Sequence, residues 1–185
     1  EPRFWTVNFP RPAMARVVTT GPASLRVDAV FHHADALAGL IWASEDSRDH
    51  PLLAYETSRD YRGLTLSFRW RSQGLKPLDP VFGPVLTIEG RNAEGAPRAW
   101  YVRLWNYAEG SAEDARITLR FDQLDGGFLL PAEADPVWAG DVDRMFISLV
   151  APGYDGSSAR LAIPAEATVW MEDIHCEGGG AILKL

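Results

Sequence analysis

The chain has 185 residues, of which 46% are hydrophobic, and its formal net charge is −7. This length fits one domain with a full core, and the negative charge argues against a general nucleic-acid-binding protein, which would normally present a basic surface. No stretch approaches the roughly 18 consecutive apolar residues of a membrane-spanning helix, and no signal peptide is recognisable. The chain starts at Glu1 without a Met, so we expect it to be excised from a larger protein.

The N-terminal part contains two predicted strands, Arg3–Asn8 and Ser24–Phe31. Prolines and a glycine between them predict turns and leave little room for a helix. The apolar stretch within His33–Leu53 is ambiguous, because its periodicity does not separate a short helix from a buried strand.

Later segments of the chain alternate apolar and polar residues, and each therefore predicts a strand with one buried face. These segments are Leu64–Ser72, Val85–Arg91, Ala99–Tyr107, Arg116–Phe121 and Arg144–Val150, followed by a final strand at Ala167–Ile174. The predicted core consists of Leu64, Leu66, Phe68, Trp70, Leu86, Ile88, Trp100, Val102, Leu104, Ile117, Leu119, Phe121, Met145, Ile147 and Leu149.

Repeated alternation with one apolar face is typical of antiparallel sheets packed on one side. We therefore predict an all-β fold, a single two-sheet antiparallel β-sandwich of the jelly-roll type, over residues 1–185. Within it, residues 1–58 supply N-terminal strands and loops, and residues 59–176 form the core jelly roll. Neither an internal repeat nor a linker marks a second domain.

The outward face of the predicted strand Ala99–Tyr107 is the main candidate for function. It carries three aromatic side chains and one guanidinium, on Tyr101, Arg103, Trp105 and Tyr107. Such residues are typical of recognition surfaces. By the same alternation, four side chains on other strands also point outward: Arg69, Arg71, Glu89 and Arg91. If these strands are neighbours of Ala99–Tyr107 in one sheet, the eight side chains together form a groove that suits a sugar ring.

A structural alternative is equally open, because the N-terminal segment or the loop Gly74–Gly83 could cover these rings. Catalysis finds little support in the sequence, since motifs for a phosphate loop, a nucleophile elbow or a zinc site are missing. The adjacent acids Glu172 and Asp173 point to opposite faces of a strand, which is poor geometry for two carboxylates acting on one bond. We therefore predict a binding protein and not an enzyme.

Several motifs together resemble galactose-binding-like jelly rolls. They are D-Y-R-G-L-T-L-S-F-R-W at the first core strand, W-Y-V-R-L-W in a central strand, F-D-Q-L after the next, V-D-R-M-F-I-S-L, and V-W-M-E-D-I in the closing strand. The likeness extends over roughly Asp60 to Ile174. It implies a noncatalytic carbohydrate-binding module whose partner is a glycan or polysaccharide.

The same resemblance implies a structural Ca²⁺ near the last strand, with Asp173 as the candidate ligand. Asp173 shares the inward parity of Val169 and Met171, and a buried acid needs a metal or an arginine as partner. No other cofactor is expected.

A second resemblance concerns the whole chain. The segments F-W-T-V-N-F-P-R-P, D-H-P-L-L-A-Y-E and E-A-D-P-V-W-A-G-D-V-D-R-M-F-I-S-L are similar to a domain of non-contractile tail proteins of phages and gene transfer agents. This resemblance implies the alternative function, a structural or assembly domain of a phage-like tail whose partners are other tail-protein subunits. Both resemblances favour an extracellular or virion-associated location.

Overall fold

The computed structural model describes residues 6–7, 13–21, 23–32, 37–42, 61–124, 138–152 and 164–178. Strands in these ranges form two antiparallel sheets. The five-stranded sheet has the order β1 (Thr6–Val7), β4 (Leu37–Trp42), β10 (Trp138–Val150), β6 (Val85–Asn92) and β7 (Pro97–Arg103). The six-stranded sheet has the order β2 (Ala13–Gly21), β3 (Ser24–Phe31), β11 (Ala165–Gly178), β5 (Leu64–Gln73), β9 (Asp114–Arg120) and β8 (Ala108–Gly110).

The two sheets share a core built by the alternation that the sequence shows. Burial alternates residue by residue along β3 and β9, so one face of each strand packs inward and the other faces out. Every residue of the predicted core is buried, and Phe68, Trp70 and Leu104 have no exposed surface. The predicted all-β sandwich is therefore confirmed. Strands from both sides of residue 58 enter both sheets.

The N-terminal part contains more strand than the sequence predicted. Ala13–Gly21 forms β2, where turns were expected, because the prolines lie outside a run with several β-branched residues. Leu37–Trp42 is a strand, which settles that part of the ambiguous stretch. Of the predicted strand Arg3–Asn8, only Thr6–Val7 lies within the described residues, and it is extended.

The predicted strand Ala99–Tyr107 is wrong in its second half. The strand ends at Arg103, and Leu104–Tyr107 forms a 3-10 helix that carries the chain from β7 in one sheet to β8 in the other. The amide N–H of Leu104 donates to the carbonyl oxygen of Pro84 at 3.2 Å. Residues three apart share one side of a 3-10 helix, so Leu104 and Tyr107 both pack on the core while Trp105 stays exposed.

The closing strand β11 contains a β-bulge that reverses the predicted parity of Asp173. Its register with β5 shifts between Glu172 and His175, and Asp173 has a φ of 50°. Ile174 takes the inward position and is buried, and its amide donates to the carbonyl oxygen of Ala23 at 2.9 Å. The predicted burial of Asp173 is therefore wrong, because the inserted residue turns its side chain out to solvent.

Candidate functional site

The structure does not bring the predicted site residues into one groove. Arg69 and Arg71 lie on β5 in the six-stranded sheet, whereas Tyr101 and Arg103 lie on β7 in the five-stranded sheet. Outward faces of the two sheets of a sandwich point away from each other. The condition for a single groove, that these strands are neighbours, is therefore not met.

The two arginines on β5 are each held by a carboxylate on a flanking strand. Arg69 donates through Nε and Nη2 to Asp114 at 2.9 and 2.7 Å, and Arg71 donates in the same way to Glu172 at 3.1 and 2.7 Å. The hydrogen bond from Arg69 lowers the pKa of the Asp114 carboxyl, and the same bond raises the pKa of Arg69. These contacts link β5 to β9 and to β11.

Trp170 lies on the same outward face and was missed by the sequence analysis. In the cross-strand register it stands between Arg26 on β3 and Arg71 on β5, and the Arg71 guanidinium lies 5.2 Å from the centre of its ring. We call Trp170, Arg26, Asp28, Arg71 and Glu172 the tryptophan cluster. The sequence does contain a sign of this cluster. Trp170 and Glu172 alternate with the apolar residues Val169 and Met171 in the closing strand, so they point to the opposite, outward face.

On the five-stranded sheet, the outward face of β10, β6 and β7 is ordered in rows. Phe146, Thr87 and Tyr101 form one row of the register, and Ser148, Val85 and Arg103 form the next. Thr87 is buried although it lies on the outer face. Along this row Phe146 is half-buried, Thr87 is buried and Tyr101 is exposed, so exposure is greatest at β7, the last described strand on this side of the sheet.

A rigid loop meets β7 beside this row. The Arg103 guanidinium donates to the carbonyl oxygen of Val81, and the Asp79 carboxylate accepts the amide N–H groups of Val81 and Phe82, both at 2.7 Å. These backbone hydrogen bonds lower the pKa of the Asp79 carboxyl. The hydrogen bond from Phe82 has the larger effect, and the one from Val81 the smaller. A Cβ on Gly83 would lie 2.3 Å from the Asp79 nitrogen, so the loop closes tightly on itself.

Three large hydrophobic residues of the described chain are exposed, Val81 at 53% in this loop, Tyr101 at 39% on β7 and Trp105 at 40% in the 3-10 helix that follows β7. Arg103 binds the carbonyl of Val81, and in the chain it lies midway between Tyr101 and Trp105. We call these four residues the edge patch. Tyr101, Arg103 and Trp105 were predicted for the site, and Val81 was not.

The remaining predicted residues do not join the edge patch. Tyr107 is half-buried and packs against the core from the 3-10 helix, so it does not share a strand face with Tyr101. Arg91 donates to the carbonyl oxygen of Gly95 at 3.0 Å within the β6–β7 hairpin. Glu89 is half-buried on β6, in register with Ala99.

Asp173 offers its carboxylate to solvent rather than to an interior metal. The side chain is 77% exposed, and its Oδ2 lies 3.9 Å from Nη1 of Arg116. Among the described residues, no group of three His, Cys, Asp or Glu side chains could hold a metal ion. The burial argument for calcium at Asp173 therefore fails, and calcium binding itself stays a prediction that a thermal melt with chelator tests.

Comparison with known proteins assigns the chain to a family. Residues 1–185 match the model of the non-contractile tail sheath N-terminal domain. The chain belongs to this family. The resemblance to non-contractile tail proteins is thus confirmed. No helix in the described part of this tail sheath domain is long and apolar enough to cross a membrane.

Solved structures similar to this domain include carbohydrate-binding modules and a phage tailspike domain. The family 30 and family 11 carbohydrate-binding modules of cellulosomal cellulases from Clostridium thermocellum are 16% and 13% identical, with TM-scores of 0.45 and 0.43. The matches cover 88% of this chain and 81% of the first module, and 95% of this chain and 88% of the second. The enzymatically active domain of a bacteriophage CBA120 tailspike protein is 9% identical, with a TM-score of 0.41, over 95% of this chain and 19% of that one. These similarities are too weak to assign a ligand.

Proposed function

We propose that the chain is a noncatalytic structural domain of a phage-like non-contractile tail and that the edge patch is its contact surface for a neighbouring tail-protein subunit. The family supports the tail role. The single observation that supports the surface is the exposure of Tyr101 and Trp105 on either side of Arg103. Tyrosine, tryptophan and arginine are the residues most enriched at the centres of protein interfaces. The proposal implies a virion-associated location.

Rigidity of the edge patch favours binding. Val81 is fixed through its amide by Asp79 and through its carbonyl by Arg103, so little conformational entropy is lost when a partner covers it. The side chain on this held backbone is half exposed, and its removal from water by a partner would lower the free energy of the complex.

The proposal is tested by co-assembly of the complete tail protein with its tail partners. We expect Trp105→Ala to weaken the contact by at least about 2 kcal/mol, as measured by sedimentation, because it removes a central anchor. Thr118→Ala, an exposed change on β9 of the other sheet, is the matched control. Wild-type assembly by Trp105→Ala would show that the contact lies elsewhere.

A glycan is the second candidate partner for the edge patch. Exposed aromatic rings beside a guanidinium suit a sugar, whose C–H faces pack on rings and whose hydroxyls accept from arginine. A glycan array with the wild-type domain and Trp105→Ala separates the two candidates. Binding that the substitution abolishes would favour the glycan, and an array without signal would leave the subunit contact.

A further inference from the structure

The tryptophan cluster lies at the centre of the outer face of the six-stranded sheet. Arg26, Trp170 and Arg71 follow one cross-strand row on β3, β11 and β5, three of the four inner strands of this sheet. Two strand spacings make this row about 10 Å wide. Trp170 is only half-buried, so part of its indole is accessible from solvent.

Polar groups on both sides of the indole are fixed by hydrogen bonds. On one side, Nε of Arg26 donates to Asp28 at 3.2 Å, and the Thr168 hydroxyl donates to the same carboxylate at 3.2 Å. On the other side, Arg71 and Glu172 form their two parallel hydrogen bonds. A ligand would therefore meet donors and acceptors whose positions are already set, which lowers the entropic cost of binding.

These groups remain reachable from solvent. The side chains of the two ion pairs are between 30% and 42% exposed. Each carboxylate has lone pairs beyond those that its arginine uses, and each guanidinium has further N–H donors. The tryptophan cluster can thus accept from and donate to a bound molecule without breaking its own hydrogen bonds.

The charge of the tryptophan cluster selects the class of ligand. Arg26 and Arg71 carry two positive charges, and Asp28 and Glu172 carry two negative ones, so the local charge is balanced. The tryptophan cluster therefore has no net charge that would attract a charged ligand over a neutral one. A molecule with apolar C–H faces for the indole and hydroxyls for the charged groups fits it, and saccharides combine these features.

We infer that the tryptophan cluster is a binding site for neutral saccharides, separate from the edge patch. The site lies on the opposite sheet and uses different residues, so it goes beyond the proposed tail contact and does not depend on it. The domain would thereby carry one surface for tail assembly and a second for a saccharide.

The experiment is a glycan array of neutral and acidic saccharides, followed by calorimetric titration of the best neutral binder into the whole domain. We expect binding by neutral glycans, a loss of at least tenfold in affinity for Trp170→Ala, and a smaller loss for Trp170→Phe, which keeps an aromatic ring. Glu172→Gln removes the negative charge that pairs with Arg71 and so weakens the positioning of its guanidinium. We therefore expect this variant to bind the glycan with lower affinity as well. Glu113→Gln, an exposed acid in the β8–β9 turn, is the matched control and should bind like wild type.

Circular dichroism melts confirm that each variant is folded before titration. If Trp170→Ala does not fold, Trp170→Phe and Glu172→Gln carry the test alone. The inference is overturned if no neutral glycan binds, if only acidic glycans bind, or if Trp170→Phe and Glu172→Gln both bind like wild type. Binding lost in Trp105→Ala but kept in the Trp170 variants would also overturn it. Failure of tail co-assembly in Trp105→Ala tests the tail contact and leaves this outcome unaffected.

Discussion

The β-bulge in β11 predicts an unusual order of stability for substitutions at one position. Asp173 has a φ of 50°, in the left-handed region where a Cβ is crowded and only glycine is unstrained. We compare Asp173→Gly with Asp173→Ala, which differ by a single methyl group. In an ordinary strand glycine is the less stable of the two, whereas at this position we expect alanine to be less stable.

The expected magnitude follows from three contributions. Alanine in the left-handed region costs about 1–2 kcal/mol, and glycine avoids this cost. Glycine loses about 0.4–1 kcal/mol through the greater freedom of its unfolded chain. The ion pair with Arg116 is lost in both variants, and with side chains 77% and 44% exposed it contributes no more than about 1 kcal/mol. Asp173→Gly should therefore be the more stable by up to about 1.6 kcal/mol, and each 1 kcal/mol corresponds to about 2–4 °C in Tm for a domain of this size.

Urea denaturation of both variants measures this difference, with Glu177→Gly and Glu177→Ala as the matched pair on the same strand. Glu177 is also exposed and lies in the regular part of the ladder with β5, so there alanine should be the more stable by about 0.5–1 kcal/mol. The reasoning is refuted if position 173 shows the same order as position 177. That result would mean that Asp173 has ordinary strand geometry, and its predicted inward parity would return.

Two further predictions concern the core and the loop. Leu104→Ala should destabilise the domain by about 2–5 kcal/mol in denaturant melts, because Leu104 is fully buried; a loss under 1 kcal/mol would contradict its place in the core. For Asp79, the folded-state pKa lies below the ordinary 3.8, so its contribution to stability is present above that pH and is lost as the pH falls below it. Asp79→Asn should remove this part of the acid dependence of unfolding, and an unchanged pH profile would contradict it.

Burial along the regular strands of this domain could be predicted, because there it follows an alternation between neighbouring residues. On β5, Phe68 and Trp70 are buried while Arg69 between them is exposed, as a period of two requires. This alternation can be recognised from the sequence of a single strand, without knowing which strands pair with it. Leu104 was also predicted correctly, although it lies beyond the end of the strand, in the first position of the 3-10 helix.

Strand order could not be predicted in the same way, because it depends on contacts between distant parts of the chain. The alternation within each strand shows that Arg71 and Tyr101 both point outward. However, β5, which carries Arg71, lies between β11 and β9 in one sheet, and β7, which carries Tyr101, lies next to β6 in the other. Only this order shows that the two residues face opposite sides. The same order places Trp170 beside Arg71, although 98 residues lie between them in the chain.

Local exceptions to the period of two explain the other errors. The 3-10 helix changes the period from two to three, which sends Tyr107 inward, and the bulge adds one residue, which sends Asp173 outward. Neither feature has a strong signal in the local sequence, because each depends on a distant part of the chain. The 3-10 helix connects the two sheets, and the bulge places the Ile174 amide against the carbonyl oxygen of Ala23.

The change of sheet at Leu104–Tyr107 has a mechanical consequence. It joins β7 to β8, which are the last described strands of the two sheets on one side of the sandwich. On the other side, the edge strands of the two sheets are β1 and β2, and these two strands are in contact. The side with β7 and β8 is thus bridged by a 3-10 helix of four residues. A force that pulls the two sheets apart on this side must unwind that helix or detach β7 or β8 from its neighbouring strand, as well as separate packed side chains. This side should therefore resist such a load better than two sheets held by packing alone.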